Sequence, residues 1–225
     1  MAMIIQGVLD AAGLAAITAD LAGAGWADGR ATTGAQSAAV KRNRQLPDDD
    51  PVALAWGQHL LQALARQPYF IAGALPLRTL TPLFSRYESG DGFGSHIDNA
   101  IRPVGAVMVR TDLAATLFLS PPESYGGGAL SIETPAGNQR YKLAAGDMLL
   151  YPASSRHAVE PVTAGTRLAA VLWVQSLVRD AGARALLFDL DMAVQALGAR
   201  VGVNDPQILV LTSVYHNLLR RWADS

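Results

Sequence analysis

The sequence predicts an α+β fold, mainly β: an antiparallel jelly roll with N-terminal flanking helices and a C-terminal helical hairpin. Three observations carry this reading. Between Tyr69 and Gln175 short β-like runs alternate with Gly, Pro, Ser and Asn, whereas the residues on either side are spaced for helices. Helix-start signals stand at Asp10, at Asp50 before Pro51 and at Asp205 before Pro206. The composition turns helical again after Ser176. The chain therefore divides into an N-terminal strand and flanking helices (1–77), a jelly-roll core (78–178) and a C-terminal helical extension (179–225).

In order, Met3 to Val8 reads as a short strand, and Asp10 opens an alanine-rich helix to about Gly23, with Leu14, Ile17 and Leu21 at helical spacing. From Gly25 to Asp50 the chain is polar, and the run Lys41, Arg42, Asn43, Arg44 reads as a solvated face, or as part of a lid. Asp50-Pro51 opens a helix to about Arg66, with Val52, Trp56, Leu60 and Leu64 as its apolar stripe. Strands are expected near Leu80 to Tyr87, Ala115 to Leu119, Ala129 to Glu133, Gln139 to Leu143, Asp147 to Tyr151, His157 to Val162 and Arg167 to Ser176. Tyr125 to Gly128 lacks the lysine of a phosphate-binding loop and reads as a turn into a strand, and Ala144 to Asp147 reads as a turn. After Ser176, Leu186, Leu187, Leu190, Val194 and Leu197 mark one amphipathic helix. Ile208, Leu211, Tyr215, Leu218 and Trp222 mark a second. These helices offer more apolar surface than a small appendage hides, which points to packing on the barrel and on a second copy of the chain.

At 225 residues the chain is long enough for one domain with a sizeable core. Eighteen basic and 19 acidic side chains leave no field to attract nucleic acid or an anionic membrane. With no cysteine, disulfides, thiolate metal sites and cysteine nucleophiles are excluded, so any metal must use nitrogen and oxygen ligands. The start MAMIIQGVLDAAG lacks the features of a signal peptide, and no apolar run reaches transmembrane length. The expected location is the cytoplasm, with neither nucleic acid nor membrane as partner.

The chemistry centres on the stretch YESGDGFGSHID, residues 87–98. In extended chain His96 and Asp98 point the same way, and His157, in SSRHAVEPV, supplies a third ligand. Two histidines and one carboxylate form the facial triad of non-haem Fe(II) oxygenases. A His-x-Asp tripeptide by itself is common, but Arg167 follows His157 by ten residues and opens the run RLAAVLWVQS. There Arg167, Ala169, Val171, Trp173 and Gln175 share strand parity, so a guanidinium on the barrel floor would clamp the carboxylate of an acidic co-substrate. His59 and His216 have no ligand partners at matching spacing and read as structural. Phe93, Leu117, Leu149 and Trp173 are candidate pocket walls. Asn99 would orient Asp98 or meet substrate, and Arg110 would reach an anionic substrate or pair with Asp112.

The order HxD, H and R, preceded by a Tyr-x-x-Gly strand and a Gly-Gly turn, resembles the prolyl 4-hydroxylase type of Fe(II)- and 2-oxoglutarate-dependent dioxygenases, and most closely the PKHD-type hydroxylases. The similarity runs through RYESGDGFGSHIDNA, RTDLAATLFLSPPESYGGGALSIET, AGDMLLYPASSRHAVEPVTAGTR and LWVQSLVRD. The resemblance implies a double-stranded β-helix, Fe(2+) on His96, Asp98 and His157, and 2-oxoglutarate as co-substrate with Arg167 on its far carboxylate. It further implies hydroxylation of a C–H bond with release of succinate and CO2, and L-ascorbate (vitamin C) as accessory reductant. Tyr87 occupies the position from which related enzymes contact 2-oxoglutarate; otherwise it is a buried tyrosine. The substrate is a small molecule or a peptide. The alternatives are a cupin-like isomerase or binding protein, although the HxH and glutamate of that group are missing, and a non-catalytic iron sensor, in which Arg167 would have no purpose.

Overall fold

Carboxylate caps start the helices where the sequence places them. The structure, a computed structural model, describes every residue except Met1, Thr33, Ala35, Gln36, Ser37 and Ser225. Strand β1 (Met3–Ile5) precedes helix α1 (Ala11–Ala22), and Asp10 accepts a hydrogen bond from Gly13 N. The polar stretch contributes three two-residue strands, β2 (Ala27–Asp28), β3 (Lys41–Arg42) and β4 (Arg44–Gln45). Helix α2 (Pro51–Leu64) is capped by the Asp50 carboxylate, which accepts from Val52 N and Ala53 N, and a short helix α3 (Pro68–Ala74) follows.

The β region then runs β5 (Pro76–Thr79), β6 (Leu83–Tyr87), β7 (Gly92–His96), β8 (Ile101–Val104), β9 (Val107–Arg110), β10 (Leu113–Phe118) and β11 (Tyr125–Gly127). It continues with β12 (Leu130–Thr134), β13 (Gly137–Tyr141), β14 (Met148–Pro152), β15 (His157–Val159), β16 (Val162–Gly165) and the long β17 (Arg167–Ser176). Helices α4 (Ala181–Val201) and α5 (Pro206–Trp222) complete the chain. None of the described helices is long and apolar enough to cross a membrane.

Two antiparallel sheets face each other as a jelly roll. The larger has the order β1-β14-β10-β17-β6-β4-β2, with β5 also on β17, and the smaller β13-β12-β15-β7-β3. The central strands of the larger sheet are buried on both faces, which is why LAATLF and MLLY read as unbroken apolar runs. Period-two alternation sorts their side chains. Leu113, Ala115, Leu117, Met148, Leu150, Ala170 and Leu172 meet Ile17 and Leu21 of α1 and Leu60 and Leu64 of α2 in one core. Ala114, Phe118, Leu149, Tyr151 and Trp173 turn the other way, toward Leu130, Ile132 and Val159 of the smaller sheet. The functional cavity opens on that second face.

The predicted helices and most predicted strands are present, with four differences. The charge run is a solvated face only in alternate residues: Arg42 and Arg44 are exposed, whereas Lys41 and Asn43 are buried, because β3 extends the smaller sheet by pairing with β7 and β4 the larger by pairing with β6. Tyr125 to Gly127, expected as a turn into a strand, is itself a short strand paired with β16. The expected strand His157 to Val162 is divided into β15 and β16. The hairpin β8–β9 and helix α3 had no counterpart in the sequence reading. The suggested lid at 25–50 includes Thr33, Ala35, Gln36 and Ser37, which lie outside the described residues.

The C-terminal hairpin docks through Ala183, Leu187, Tyr215, Leu218 and Trp222 onto Leu75 and Val178. Buried Arg184 reinforces the joint by donating from Nη1 to the carbonyl oxygens of Val178 and Arg179, both at 2.7 Å.

Gly146 ties the N-terminus to the sheet. Its φ of +92° is in the left-handed region, its carbonyl accepts from Val8 N and Leu9 N, and its own N–H donates to Phe118 O. An added Cβ would stand 2.4 Å from Leu9 O. Gly146→Ala is therefore expected to destabilise the protein by about 1–3 kcal/mol, read as a lowered urea midpoint at unchanged slope.

Candidate functional site

The strand registers place the chemical side chains in two opposing pairs. In the smaller sheet His157 stands directly opposite His96, and in the larger sheet Arg167 stands opposite Tyr87. The cavity between the sheets is lined by all four, together with Asp98, Thr116, Leu130, Tyr151, Val159 and Trp173.

Asp98 lies two residues beyond the end of β7, in extended chain rather than in a strand, yet it points where strand parity would send it. Its Oδ1 is 4.0 Å from His96 Nε2 and its Oδ2 3.9 Å from His157 Nε2. One ligand atom from each of the three residues lies within 4.8 Å of the others. Both imidazoles are held from behind: His96 Nδ1 is 2.8 Å from Gly94 O and His157 Nδ1 is 3.0 Å from Ser155 O. A carbonyl can only accept, so each Nδ1 carries a hydrogen and each Nε2 is the ring nitrogen turned to the cavity. Stacking adds rigidity, with the Phe93 ring 3.6 Å from His96 and the Tyr151 ring edge-on to His157. Burial and the neighbouring His157 lower the His96 pKa to about 4, so its ring is neutral at physiological pH and needs to shed no proton to act as a ligand.

Among the described residues seven side chains keep a buried polar atom without a hydrogen-bond partner, and Asp98 and Arg167 are the charged ones on the cavity. Asp98 Oδ2 receives no hydrogen bond, and neither Nε nor Nη2 of Arg167 donates one among the described residues. Arg167 is 1% exposed and makes no ion pair among the described residues, and its guanidinium lies 5.2 Å and 5.4 Å from the rings of Tyr87 and Phe118. A buried cation without a counter-ion is costly to hold in an apolar interior. Burial raises the pKa of Tyr87 although Arg167 opposes the shift, which keeps the phenol protonated and able to donate. Tyr151 is raised in the same way by burial and by Asp98.

Phe93 and Trp173 line the cavity, whereas Leu117 and Leu149 do not. Leu117 shares its parity with Leu113 and Ala115 and faces the helices; Leu149 faces the inter-sheet core away from the opening. Asn99 is on the lining, with its carbonyl accepting from Thr111 Oγ1 at 2.6 Å. Arg110 is committed elsewhere, to Asp112 at 2.7 Å, Ser176 O and Asp224. His59 packs against Trp56 and His216 against Tyr215, both away from the cavity.

Lys41 and Arg102 escaped the sequence reading, and both are on the cavity rim. Lys41 donates from Nζ to Gln45 Oε1, and burial together with Arg102 brings its pKa down to about 8. Alternation in β3 and β8 was the available signal, but neither strand was expected. The β8–β9 hairpin rises directly after Asp98 and carries exposed Ile101, Val104, Val107 and Met108. It is clasped at its base by Thr111 N donating to Ala100 O and by the Thr111–Asn99 bond.

Residues 82–175 match the 2OG-Fe(II) oxygenase superfamily, and residues 181–224 match the PKHD-type hydroxylase C-terminal domain. A PKHD-type hydroxylase of Burkholderia cenocepacia (strain HI2424) is 54% identical over 227 residues, with all of each chain covered. The chain belongs to the PKHD-type hydroxylases. Another member, from Rhizorhabdus wittichii, is 52% identical over the full length of both chains. Among solved structures, a Pseudomonas putida prolyl-4-hydroxylase is 17% identical with a TM-score of 0.51, covering 78% of this chain and 92% of the other. A Trichoplax adhaerens prolyl hydroxylase in complex with a hypoxia inducible factor peptide fragment is 16% identical with a TM-score of 0.55, covering 77% and 82%. HygX of Streptomyces hygroscopicus, with nickel, 2-oxoglutarate and hygromycin B bound, is 17% identical with a TM-score of 0.52, covering 76% and 81%. These likenesses show that this PKHD-type hydroxylase has the fold of 2-oxoglutarate oxygenases.

The isolation of Arg167 can be tested without activity. Replacing a buried charge that has no counter-ion by an apolar residue of similar length is neutral to stabilising. Arg167→Met is expected to leave the metal-free protein as stable as wild type or about 1 kcal/mol more stable in urea denaturation. A loss beyond about 2 kcal/mol would assign the guanidinium a structural role instead.

Proposed function

We propose that this PKHD-type hydroxylase binds Fe(II) through His96 Nε2, Asp98 and His157 Nε2, holds 2-oxoglutarate with its far carboxylate on Arg167, and hydroxylates a C–H bond of a third molecule. The observation that carries this reading is the pairing, across one cavity, of a convergent His-Asp-His set with a buried guanidinium that no carboxylate of the described chain satisfies. The donor set fits the metal: two neutral nitrogens and one carboxylate are the ligands that non-haem Fe(II) takes, with open positions left for others. Bound there, Fe(II) and 2-oxoglutarate supply the oxidation, in which one atom of O2 enters the substrate as hydroxyl and the other enters succinate as CO2 leaves.

The chain's own contribution is positional. Backbone carbonyls of Gly94 and Ser155 fix both imidazoles, so no ring reorients when the metal arrives. Arg167, held between the Tyr87 and Phe118 rings, offers its unpaired N–H groups to a carboxylate in two parallel hydrogen bonds. Tyr87, protonated and facing the same cavity, donates a further hydrogen bond to the co-substrate. Leu83, Leu130, Val159 and Trp173 keep the reacting region apolar and restrict water.

Residues 78–178 form the catalytic core in this reading, with 1–77 and 179–225 as its supports. The enzyme works in the cytoplasm on a small molecule or peptide, with L-ascorbate as accessory reductant and no nucleic-acid or membrane partner. The exposed Leu186, Leu209 and Val210 of the C-terminal helices form a contact with a second copy of the chain. Light scattering of the wild type is expected to give at least a dimer, and Leu209→Glu combined with Val210→Glu to shift it to monomer. A wild-type monomer at all concentrations would end the oligomer proposal.

The test of the activity separates metal from co-substrate. His96→Ala and His157→Ala are expected to lose bound Fe(II) and all consumption of 2-oxoglutarate. Arg167→Met should retain the metal but bind 2-oxoglutarate roughly 100-fold more weakly. Metal analysis and calorimetric titration read the two quantities, and full iron occupancy with turnover in either histidine variant would overturn the ligand assignment.

A further inference from the structure

Among the described residues Arg102 and Arg167 are the arginines that line the cavity; Arg167 is buried and Arg102 half-buried at the rim. Its guanidinium carbon lies 3.9 Å from the centre of the Trp173 ring, in β17, while its own backbone belongs to the β8–β9 hairpin. Stacking occupies the flat face of the group and leaves its N–H edges directed outward. Among the described residues these edges make no hydrogen bond and no ion pair. Asp98 and Asp48 attract Arg102 from beyond ion-pair distance, and Lys41 on the same rim repels it.

The charges facing the cavity sharpen the point. Among the described residues that line it, Asp98 is the one carboxylate, against Lys41, Arg102 and Arg167. With the metal matched by the dianionic co-substrate, Arg167 on that co-substrate and Asp98 on the metal, Arg102 loses its nearer counter-charge. Burial already disfavours its cationic form. An incoming anion would restore the balance. Arg102 and Trp173 also border a neighbouring groove walled by Leu46, Pro82, Leu83 and Phe84, so an apolar body could lie there with its charged end at the rim.

We propose that Arg102 recognises the substrate, and that the molecule this enzyme oxidises carries an oxyanionic group, such as a carboxylate, on an apolar body. The inference rests on the Fe(II)/2-oxoglutarate reading of the cavity and narrows it to a substrate class. Arg102 acts as a specificity residue that touches substrate, distinct from Arg167, which serves the co-substrate.

The experiment uses full-length protein loaded with Mn(II), which supports binding without turnover, and saturated with 2-oxoglutarate. Two matched probes, 3-phenylpropionate and 3-phenylpropanamide, differ in charge but hardly in shape. Paramagnetic broadening of their proton signals reports occupancy near the metal. Wild type is expected to bind the carboxylate about tenfold more tightly than the amide. Arg102→Gln should erase that ratio, and Arg102→Lys, which keeps the charge without the planar fork, should retain part of it. Equal affinities in wild type, a ratio that survives Arg102→Gln, or no broadening by either probe would each overturn the proposal. Binding of 2-oxoglutarate to the Mn(II) protein is measured first. Its failure would strike the dioxygenase reading itself, whereas its success with no charge preference would strike only the role of Arg102.

Discussion

Burial of one sheet on both of its faces is the constraint on which the rest of this structure depends. Strands β10, β14 and β17 send alternate side chains to the helices and to the opposing sheet, so a single residue of slip in any of them would exchange core for cavity. Arg167 is on the cavity side because it shares parity with Val171 and Trp173, and the adjacent Leu168 packs with the helical core. The helices on the outer face therefore do more than shield apolar surface. By demanding Leu113, Ala115, Ala170 and Leu172 on their side, they hold the guanidinium on the other.

The smaller sheet applies the same logic to the imidazoles. His96 and His157 are cross-strand neighbours, and each is backed by a carbonyl two residues earlier in its own strand approach. The local chain thus sets the tautomer and the ladder sets the spacing. Between the sheets, the neutral His96 imidazole stands beside a carboxylate oxygen without a hydrogen-bond partner, and a guanidinium without an ion-pair partner among the described residues lies across from them. Each arrangement costs stability in the isolated chain, a common signature of sites shaped for binding rather than for folding.

Features written in contiguous residues were legible in the sequence. Asp10, Asp50 and Asp205 announced their helices, and the spacing of His96, Asp98, His157 and Arg167 pointed to residues that the structure gathers around one cavity. What escaped depends on distant partners. Lys41 belongs to a polar run that looks solvated until β7 pairs with it, and Leu117 differs from Thr116 only in which side of a doubly buried strand it occupies. The β8–β9 hairpin was hidden for another reason: its outward residues are apolar, so the polar alternation that marks an exposed strand is missing from IRPVGAVMVR.

That hairpin leaves the barrel within five residues of His96 and returns at Thr111, whose two bonds to Asn99 and Ala100 close its base like a clasp. The clasp joins the two ends of the hairpin next to Asp98, so the tip can vary in length or composition without breaking either bond. In such an arrangement a surface loop can change what it covers while the imidazoles, the carboxylate and the guanidinium stay where the barrel holds them.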